Sequence, residues 1–289
     1  MSATTLKSYS KINIGLRILK KRDDGFHDLE TIFYPVKLHD EIMIEIERSA
    51  TGYNSVLLRS NRSFIPLTKD NLCYRAIENF FKIFHVRDCF KISLELKKFI
   101  PVGGGLGGGS SNAAAIIKCL VRYFKIDIAL HRKKILDLAL MIGSDVPFFM
   151  VMKPCYAEGR GEKMNVLPDF KIDYDILIIN PNLHVSTSWA FEKINMKEES
   201  SKKPLMNSVT VFEPDKIDIF VNDFENIVFR KYEVLKTIKE ELIEMGAVYS
   251  SMSGSGATMF GFFEKGNNSS LMKTRDHYNS KKYFTYISD

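Results

Sequence analysis

The sequence predicts a protein of mixed α and β structure that is built from two domains. Its 289 residues exceed what one ordinary hydrophobic core needs, and we place the two domains at residues 1–165 and 166–289. Stretches in which apolar and polar residues alternate recur along the chain, and stretches with helical spacing lie between them. Strands and helices are therefore expected in both halves.

The chain opens with the pattern of a β-hairpin. Apolar residues occupy every second position from 12 to 18, which places Lys11, Asn13 and Arg17 together on the opposite face of a strand. The dipeptide Asp24-Gly25 predicts a tight turn, and residues 29–36 predict the partner strand. The three polar side chains should therefore project from the same face of the hairpin.

The rest of the chain predicts further strands and helices in succession. Helical spacing is found at residues 70–84, 113–124, 131–142 and 230–245, and again near the C-terminus. Strands are predicted at residues 90–96, 175–180, 258–263 and 283–287. Thr68 or Asp70 is placed to cap the first helix, and Gly143 ends the third. The polar stretch 197–207 predicts a surface loop.

Composition excludes several classes of protein. The net charge of +6 comes in short pairs without a long basic stripe, so we expect no nucleic-acid partner. No apolar run approaches the roughly 18 residues that a membrane span needs, and the N-terminus lacks the apolar core of a secretory signal. We therefore expect a cytoplasmic protein without a membrane partner. The four cysteines are scattered singly, which is typical of buried thiols and not of a zinc site.

The segment PVGGGLGGGSSNAA, which joins a predicted strand to a predicted helix, holds the main functional signal. Glycines fill six of the seven positions from 103 to 109. Without Cβ atoms, the backbone can turn its N–H groups toward a polyanion and approach it closely. The start of the following helix, near Ser110 and Ser111, adds free donors and a favourable dipole. The segment therefore predicts a phosphate cradle.

Two better-known phosphate loops do not fit this segment. Gly103, Gly105 and Gly108 satisfy the dinucleotide pattern G-x-G-x-x-G, but another predicted helix follows where a Rossmann unit needs a parallel strand with a terminal acidic residue. The Walker A pattern fails because no Gly-Lys-Ser/Thr follows the glycines. A flexible linker is the remaining alternative, although a strand, a proline and a helix flank the segment.

Residues 101–114 resemble the second motif of the GHMP kinases, whose glycine loop wraps the triphosphate of ATP. The segment SMSGSGAT at residues 251–258 is similar to the third motif of that superfamily. Three more segments, SKINIGL, DGFHDLET and GSDVPFF, resemble the branch that phosphorylates a cytidine diphosphate-linked alcohol. Matching segments are spread over nearly the whole chain.

The resemblance implies a fold, a reaction and partners. The implied fold is α+β, with an N-terminal domain like the second domain of ribosomal protein S5, a ferredoxin-like C-terminal domain and the active site between them. The implied reaction transfers the γ-phosphoryl group of ATP to the 2-hydroxyl of 4-diphosphocytidyl-2-C-methyl-D-erythritol, in the non-mevalonate route to isoprenoid precursors. Mg²⁺ would be held mainly through phosphates. The implied partner is the small-molecule substrate, with the protein a monomer or a weak homodimer.

The resemblance also implies two catalytic residues. Asp145, in GSDVPFF, matches the aspartate that orients the substrate hydroxyl and accepts its proton. From the sequence alone, an aspartate at such a turn is more often a helix cap. Lys11 matches the lysine that keeps this carboxylate ionised and offsets charge on the transferred phosphoryl group. Its alternative is an ordinary exposed lysine of the strand.

The remaining implied residues bind substrate or nucleotide. Asn13 matches a substrate-contacting position, and Phe26 and His27 match the residues that stack on and hydrogen-bond the cytosine ring. Thr187 and Phe191 align with residues of the cytidine pocket, and core packing is the alternative for Phe191. The expected nucleotide-binding residues are Asn71, Lys98, Pro101, Gly103, Gly104, Gly105, Leu106, Gly107, Gly108, Gly109, Ser110 and Ser111. The alternative for Asn71 and Lys98 is that both are ordinary surface groups.

Two positions depart from the family's pattern. Phe26 stands where tyrosine is usual, which retains stacking but removes any phenolic hydrogen bond, and Asn112 stands where many members carry aspartate. Two other functions stay open. One is another GHMP kinase, of the homoserine or mevalonate type, which would have no need of a base-binding Phe26-His27 pair. The other is a non-catalytic nucleotide-binding module, which would have no need of both Lys11 and Asp145.

Overall fold

The computed structural model of the protein describes residues 3–194, 206, 209 and 211–288. Contacts between Cα atoms divide the chain into two compact units that interleave along the sequence. The first unit comprises Met1–Ser10, Leu38–Ile100 and Gly107–Met152, and the second comprises Lys11–Lys37, Pro101–Leu106 and Lys153–Asp289. The domain boundary that the sequence suggests between residues 165 and 166 stays a prediction.

The described strands, in chain order, are β1 Thr4–Lys21, β2 His27–Arg48, β3 Ser55–Ser60, β4 Phe90–Lys97, β5 Cys155–Gly159, β6 Lys163–Val166, β7 Tyr174–Asn180, β8 Tyr249–Met252, β9 Met259–Glu264 and β10 Phe284–Ser288. The described α-helices are α1 Leu72–Ile83, α2 Gly108–Tyr123, α3 Ile128–Ile142, α4 Val146–Val151, α5 Thr187–Lys193, α6 Glu225–Lys231, α7 Glu233–Glu244 and α8 Asn268–Ser280. A 3₁₀ helix covers Pro214–Ile219. Within the described residues, no helix is long and apolar enough to cross a bilayer.

The predicted hairpin is confirmed as β1 and β2, which pair with each other. Gly25 lies in the connecting turn with a φ of 82°, a left-handed conformation that glycine adopts without steric cost. β1 also contains Gly15, with a φ of 65°. A Cβ there would lie 2.9 Å from the Cα atom of Phe220, so the close approach of the two backbones requires glycine at this position.

In the first unit, the C-terminal part of β2 pairs antiparallel with β4, and β3 pairs parallel with β4. Helices α1, α2, α3 and α4 pack on one another. An aromatic cluster forms part of their core, and the rings of Phe80 and Phe90 both lie within 6 Å of the ring of Phe124. This packing fixes the helix that follows the glycines.

In the second unit, the N-terminal part of β2 pairs antiparallel with β5, and β5 with β6. A separate antiparallel sheet has the strand order β10-β7-β9-β8. Apolar residues of this sheet and of α6, α7 and α8 form one buried cluster, which includes Leu177, Leu235, Met259 and Tyr278. Because β7 and β9 are buried on both faces, their sequences are nearly continuous apolar runs without alternation.

Helix boundaries are where the sequence misleads. The N-cap of α1 is Asn71, whose side chain accepts from the backbone N–H of Cys73, so the prediction of Thr68 or Asp70 as the cap is wrong. The helix predicted over residues 230–245 is divided at Tyr232, which adopts a non-helical φ of −128° and packs edge-on against Trp189. α2 begins earlier than predicted, within the glycines. Apart from Met206, the loop predicted at residues 197–207 lies outside the described residues.

Candidate active site

The polar face of β1 is buried, unlike that of an ordinary surface strand. The side chain of Lys11 is only 3% exposed, and its ammonium donates a hydrogen bond to Oδ1 of Asn13. The amide of Asn13 donates to Oγ1 of Thr31 at 3.0 Å, and the Thr31 hydroxyl donates to the carbonyl of Gly15 at 2.6 Å. The ammonium also lies 5.0 Å from the ring centroid of Phe33. These contacts give the lysine one fixed orientation.

A second buried charge lies further along the same face. Nη1 of Arg17 is 2.5 Å from Oε1 of Glu30, whose carboxylate is fully buried. The Tyr156 hydroxyl donates to Oε2 of this carboxylate at 3.4 Å. Burial, reinforced by the charge of Glu30, raises the pKa of Tyr156 to about 12, so the phenol stays protonated and remains a donor.

The first three glycines lie against the turn that follows β8. A Cβ atom at Gly104 would lie 2.6 Å from Oγ1 of Thr258 and 2.8 Å from Nδ2 of Asn180, so the backbone of the loop approaches these groups as only glycine can. The carbonyl of Gly104 accepts from the Thr258 N–H at 3.2 Å. At Gly103, a Cβ would overlap the imidazole of His184, which therefore packs directly on the loop.

Ser253 connects this turn to both the loop and the strand. Its hydroxyl accepts from the backbone N–H of Asn13 at 3.2 Å and donates to the carbonyl of Gly105 at 3.0 Å. The N–H of Lys11 in turn donates to the carbonyl of Leu106 at 3.1 Å. The strand with the buried lysine, the glycine loop and the turn thus form one hydrogen-bonded assembly within the second unit.

Two aromatic side chains lie where the turn ends and β2 begins: Phe26 directly before the strand and His27 as its first residue. Phe26 is 48% exposed, and the guanidinium carbon of Arg160 lies 3.8 Å above its ring centroid. His27 is buried and stacks on Phe191, with ring centroids 5.3 Å apart and planes 22° apart. Burial, with a smaller contribution from the charge of Lys21, lowers the pKa of His27, so its imidazole is neutral near pH 7. A neutral imidazole offers one donor and one acceptor.

In the first unit, the remaining glycines form the N-terminus of α2. Gly107 is the N-cap residue, with a φ of 71°, and as a glycine it has no side chain with which to cap the helix. The first N–H groups of a helix have no partner within it, and the helix dipole adds positive potential there. At Gly109, an exposed position, a Cβ would find only ordinary contact, 3.6 Å from Cδ1 of Leu72. This terminus can receive an anion.

A buried charge network lies beneath that helix start. The Lys98 ammonium donates hydrogen bonds to Oδ2 of Asp40 and, at 3.0 Å, to Oδ1 of Asn112. The same Asp40 carboxylate accepts from the backbone N–H groups of Phe99 and Ile100 at 2.8 and 2.9 Å. The Asn112 amide donates to Ser8, at 2.6 Å, and to Asp40. Lys98 and Asn112 thus tie the helix to the strands of the first unit.

Asp145 lies at the N-cap position of α4 and is half-buried. Its side chain makes no capping hydrogen bond to the described residues of that helix, so the cap role that an isolated aspartate would suggest is not the one it fills. Asn71, by contrast, is engaged as a cap: its amide donates to the carbonyl of Pro66 at 2.8 Å while its oxygen caps α1. Its predicted role at the nucleotide stays a prediction.

Comparison with known proteins identifies the family. Residues 71–153 match the family of GHMP kinases N terminal domain, and residues 214–274 match that of GHMP kinases C terminal. The 4-diphosphocytidyl-2-C-methyl-D-erythritol kinase of Bacteroides thetaiotaomicron is 40% identical over 257 residues, which cover 88% of this chain and 90% of the relative. The kinase of the same name from Chlorobium limicola is 35% identical over 271 residues, which cover 92% of this chain and 90% of the relative. The chain belongs to the 4-diphosphocytidyl-2-C-methyl-D-erythritol kinase family.

Solved structures confirm the GHMP kinase fold. A crystal structure of 4-(cytidine 5'-diphospho)-2C-methyl-D-erythritol kinase superposes with a TM-score of 0.77 at 24% identity, covering 99% of this chain and 98% of that one. The mevalonate kinase of Methanococcus jannaschii superposes with a TM-score of 0.67 at 16% identity, over 99% of this chain and 98% of that one. As a member of the family, the protein is a kinase, a phosphotransferase of the GHMP type.

The structure brings together part of the set that the sequence suggests. Lys11, Asn13 and the loop from Pro101 to Leu106 lie within the second unit, as do Phe26, His27, Thr187 and Phe191. The hydroxyl of Thr187 is 2.9 Å from that of Ser255, in the turn after β8. The first unit holds Asn71, Lys98, the helix start from Gly107 to Ser111, and Asp145.

Sequence reasoning missed His184, Arg160 and Glu30. Strand periodicity places Arg17 on the polar face of β1 with Lys11 and Asn13, but it gives no sign that Glu30 is the ion-pair partner of Arg17. In the part of the chain that the structure describes, no group of three His, Cys, Asp or Glu side chains could hold a metal ion.

Proposed function

We propose that the protein transfers the γ-phosphoryl group of ATP to the 2-hydroxyl of 4-diphosphocytidyl-2-C-methyl-D-erythritol, by direct in-line attack and without a phosphoenzyme. The observation that carries the choice of acceptor is the pair at the start of β2. Phe26 offers a half-exposed aromatic face, and His27 is a buried neutral imidazole stacked on Phe191. A face for stacking beside a donor-acceptor edge suits a nucleobase, which neither homoserine nor mevalonate carries.

The glycine loop supports the proposal for ATP. In its first half a Cβ atom at Gly104 would overlap neighbouring side chains, and its second half begins α2 with a glycine, Gly107, at the N-cap. Backbone N–H groups in such a segment bind phosphate oxygens without side chains and with help from the helix dipole. Gly107 to Ser111 would hold the phosphates in this way. Mg²⁺, held through phosphate oxygens and water, would neutralise charge on the transferred group.

Lys11 and Asp145 are the proposed catalytic residues. The Lys11 ammonium, oriented by Asn13 and buried, would act on developing phosphoryl charge more strongly than an exposed lysine could, since water screens it less. Asp145 would orient the acceptor hydroxyl and accept its proton late, because a carboxylate is a weak base for an alcohol. In a loose transition state this late transfer suffices.

ADP release decides among the candidate acceptors. Purified protein should release ADP from MgATP with the cytidyl substrate, and not with homoserine or mevalonate. Turnover on either of those alcohols alone would reassign the acceptor, and ATP binding without any transfer would favour a non-catalytic module. Asp145→Asn should lose a factor of at least about 100 in kcat. Asp127→Ala, which removes the side-chain cap of α3, should cost about 1 kcal/mol of stability and leave kcat unchanged.

A further inference from the structure

A short segment between the 3₁₀ helix and α6 adds a backbone pairing to β1. Asn222 forms a parallel bridge with Leu16. The N–H of Leu16 donates to the carbonyl of Val221 at 2.9 Å, and the N–H of Asp223 donates to the carbonyl of Leu16 at 2.8 Å. The carboxylate of Asp223 then accepts from the N–H of Ile18 at 2.8 Å. The segment is therefore fixed on the strand that carries Lys11 and Asn13.

The side chain of Asn222 reaches from this segment to the turn after β8. It is 3% exposed, and its amide nitrogen donates to the carbonyl of Met252 at 2.6 Å and to that of Gly254 at 2.8 Å. Its oxygen accepts from the N–H of Phe224 at 3.0 Å. Both amide protons thus form hydrogen bonds to the two carbonyls that flank Ser253, and these bonds fix the backbone on each side of this serine.

Ser253 passes this constraint to the site. Its hydroxyl accepts from the N–H of Asn13 and donates to the carbonyl of Gly105, so its position sets the distance between strand and loop. Glu225 holds the same stretch from the other side, since Oε1 accepts from the N–H of Met252 at 2.9 Å. The contacts form a chain from Asn222 through Ser253 to the residues proposed to bind substrate and ATP.

We propose that Asn222 is a positioning residue for phosphoryl transfer, acting through Ser253 on Asn13 and on the glycine loop. This inference rests on the proposed function of that site. Only a side chain with two N–H donors satisfies both carbonyls at once. An aspartate of the same shape would turn a carboxylate oxygen toward two carbonyl oxygens, removing both hydrogen bonds and adding repulsion. The turn would then shift and carry the serine hydroxyl with it.

A double-mutant cycle tests the proposal. Asn222→Asp, Ser253→Ala and the double variant are compared with the wild type for kcat on the cytidyl substrate and for the affinity of a non-hydrolysable ATP analogue. Each single variant should lower kcat about tenfold. The kcat of the double variant should be no more than about threefold below that of the less active single variant, because both substitutions break the same connection. Additive losses, about 100-fold in the double variant, would overturn the proposal.

Controls separate positioning from stability. Tyr278→Phe removes hydrogen bonds to Glu241 and to the carbonyl of Ile238, leaves the hydrogen bonds of Asn222 and Ser253 in place, and should lower the melting temperature with kcat unchanged. If Asn222→Asp lowers the melting temperature but leaves kcat at the wild-type value, the residue is merely structural. Should it fail to fold, Asn222→Ala replaces it in the cycle. If the wild type is inactive on the cytidyl substrate, the proposed function is refuted. The double-mutant cycle then uses the affinity for the ATP analogue in place of kcat, and additive losses of that affinity would still overturn the role of Asn222.

Discussion

The backbone N–H of Lys11 donates to the carbonyl oxygen of Leu106 at 3.1 Å. Strand and glycine loop are therefore joined through the main chain, independently of the lysine side chain. Leu106 is itself buried, which anchors the loop between the glycines that precede and follow it. A substitution at position 11 can thus remove the ammonium without releasing the strand from the loop.

Lys11→Met should lower kcat by at least about 100-fold, because a buried positive charge that acts on the phosphoryl group is lost. The strand pairing and the main-chain bond to Leu106 persist, so circular dichroism should show a folded protein. Lys265→Met is the matched control: it breaks an exposed ion pair with Asp173 and should leave kcat unchanged. Retention of kcat by the Lys11 variant to within about threefold would exclude the ammonium from catalysis.

Gly109→Ala should raise the KM for ATP about tenfold while leaving the melting temperature equal or higher. The added methyl group meets nothing closer than 3.6 Å in the protein, and alanine is the better helix former. Any loss must then come from the methyl group standing where phosphate oxygens approach the backbone. The KM for the cytidyl substrate serves as the internal reference and should stay constant. An unchanged KM for ATP would remove this position from the nucleotide site.

The polar face of β1 was predictable because period-two alternation survives in its sequence. The apolar positions of the strand fix which side faces the core, and Lys11 and Asn13 must then share the other side. What alternation does not reveal is that this second face is also buried, because its cover comes from residues such as Thr31 and Ser253. Burial of a polar face depends on tertiary packing, which no local pattern encodes.

Long-range polar contacts escaped prediction for the same reason. Asn222 and the carbonyl of Met252 are 30 positions apart, and Lys98 and Asp40 are 58 apart. A single asparagine or an isolated ion pair leaves no periodic trace, so its partner is known only once the fold brings the two together. The prediction of helix ends failed for a different reason. Three polar residues near position 70 could each cap α1, and the extended backbone conformation of Asn71 makes it the N-cap.

Phe26→Ala should raise the KM for the cytidyl substrate by about 5- to 150-fold, since base stacking on an aromatic ring is worth roughly 1–3 kcal/mol. The KM for ATP should not change. Because the ring is half-exposed and lies under the guanidinium of Arg160, its removal should cost little stability. Phe26→Tyr retains the stacking face and is the matched control, with a KM equal to or below that of the wild type. An unaltered KM in the alanine variant would place the base elsewhere.

The affinity for the cytidyl substrate should weaken on the acid side of neutrality through His27. Its pKa in the folded protein is lowered below the ordinary value of 6.5, first by burial and then by the charge of Lys21. As the pH falls from about 6.5 through that lowered value, the ring gains a proton and loses its acceptor, so the KM for this substrate should rise and that for ATP should not.

The free energy of unfolding should also decrease as the pH falls, because His27 has the lower pKa in the folded protein. Protonation favours the unfolded chain, whose histidine keeps the higher pKa, so this contribution is intact above about pH 6.5 and is lost below it.

His27→Gln isolates that titration, because the glutamine amide can still form hydrogen bonds but does not ionise. Its KM for the cytidyl substrate, higher than that of the wild type at pH 7.5, should be flat between about pH 5 and 7.5, where the wild-type value rises toward acid. His85→Asn, at an exposed position after α1, should retain the wild-type profile. Parallel profiles for wild type and His27→Gln would assign the acid dependence to another group, since a residue that cannot titrate cannot produce it.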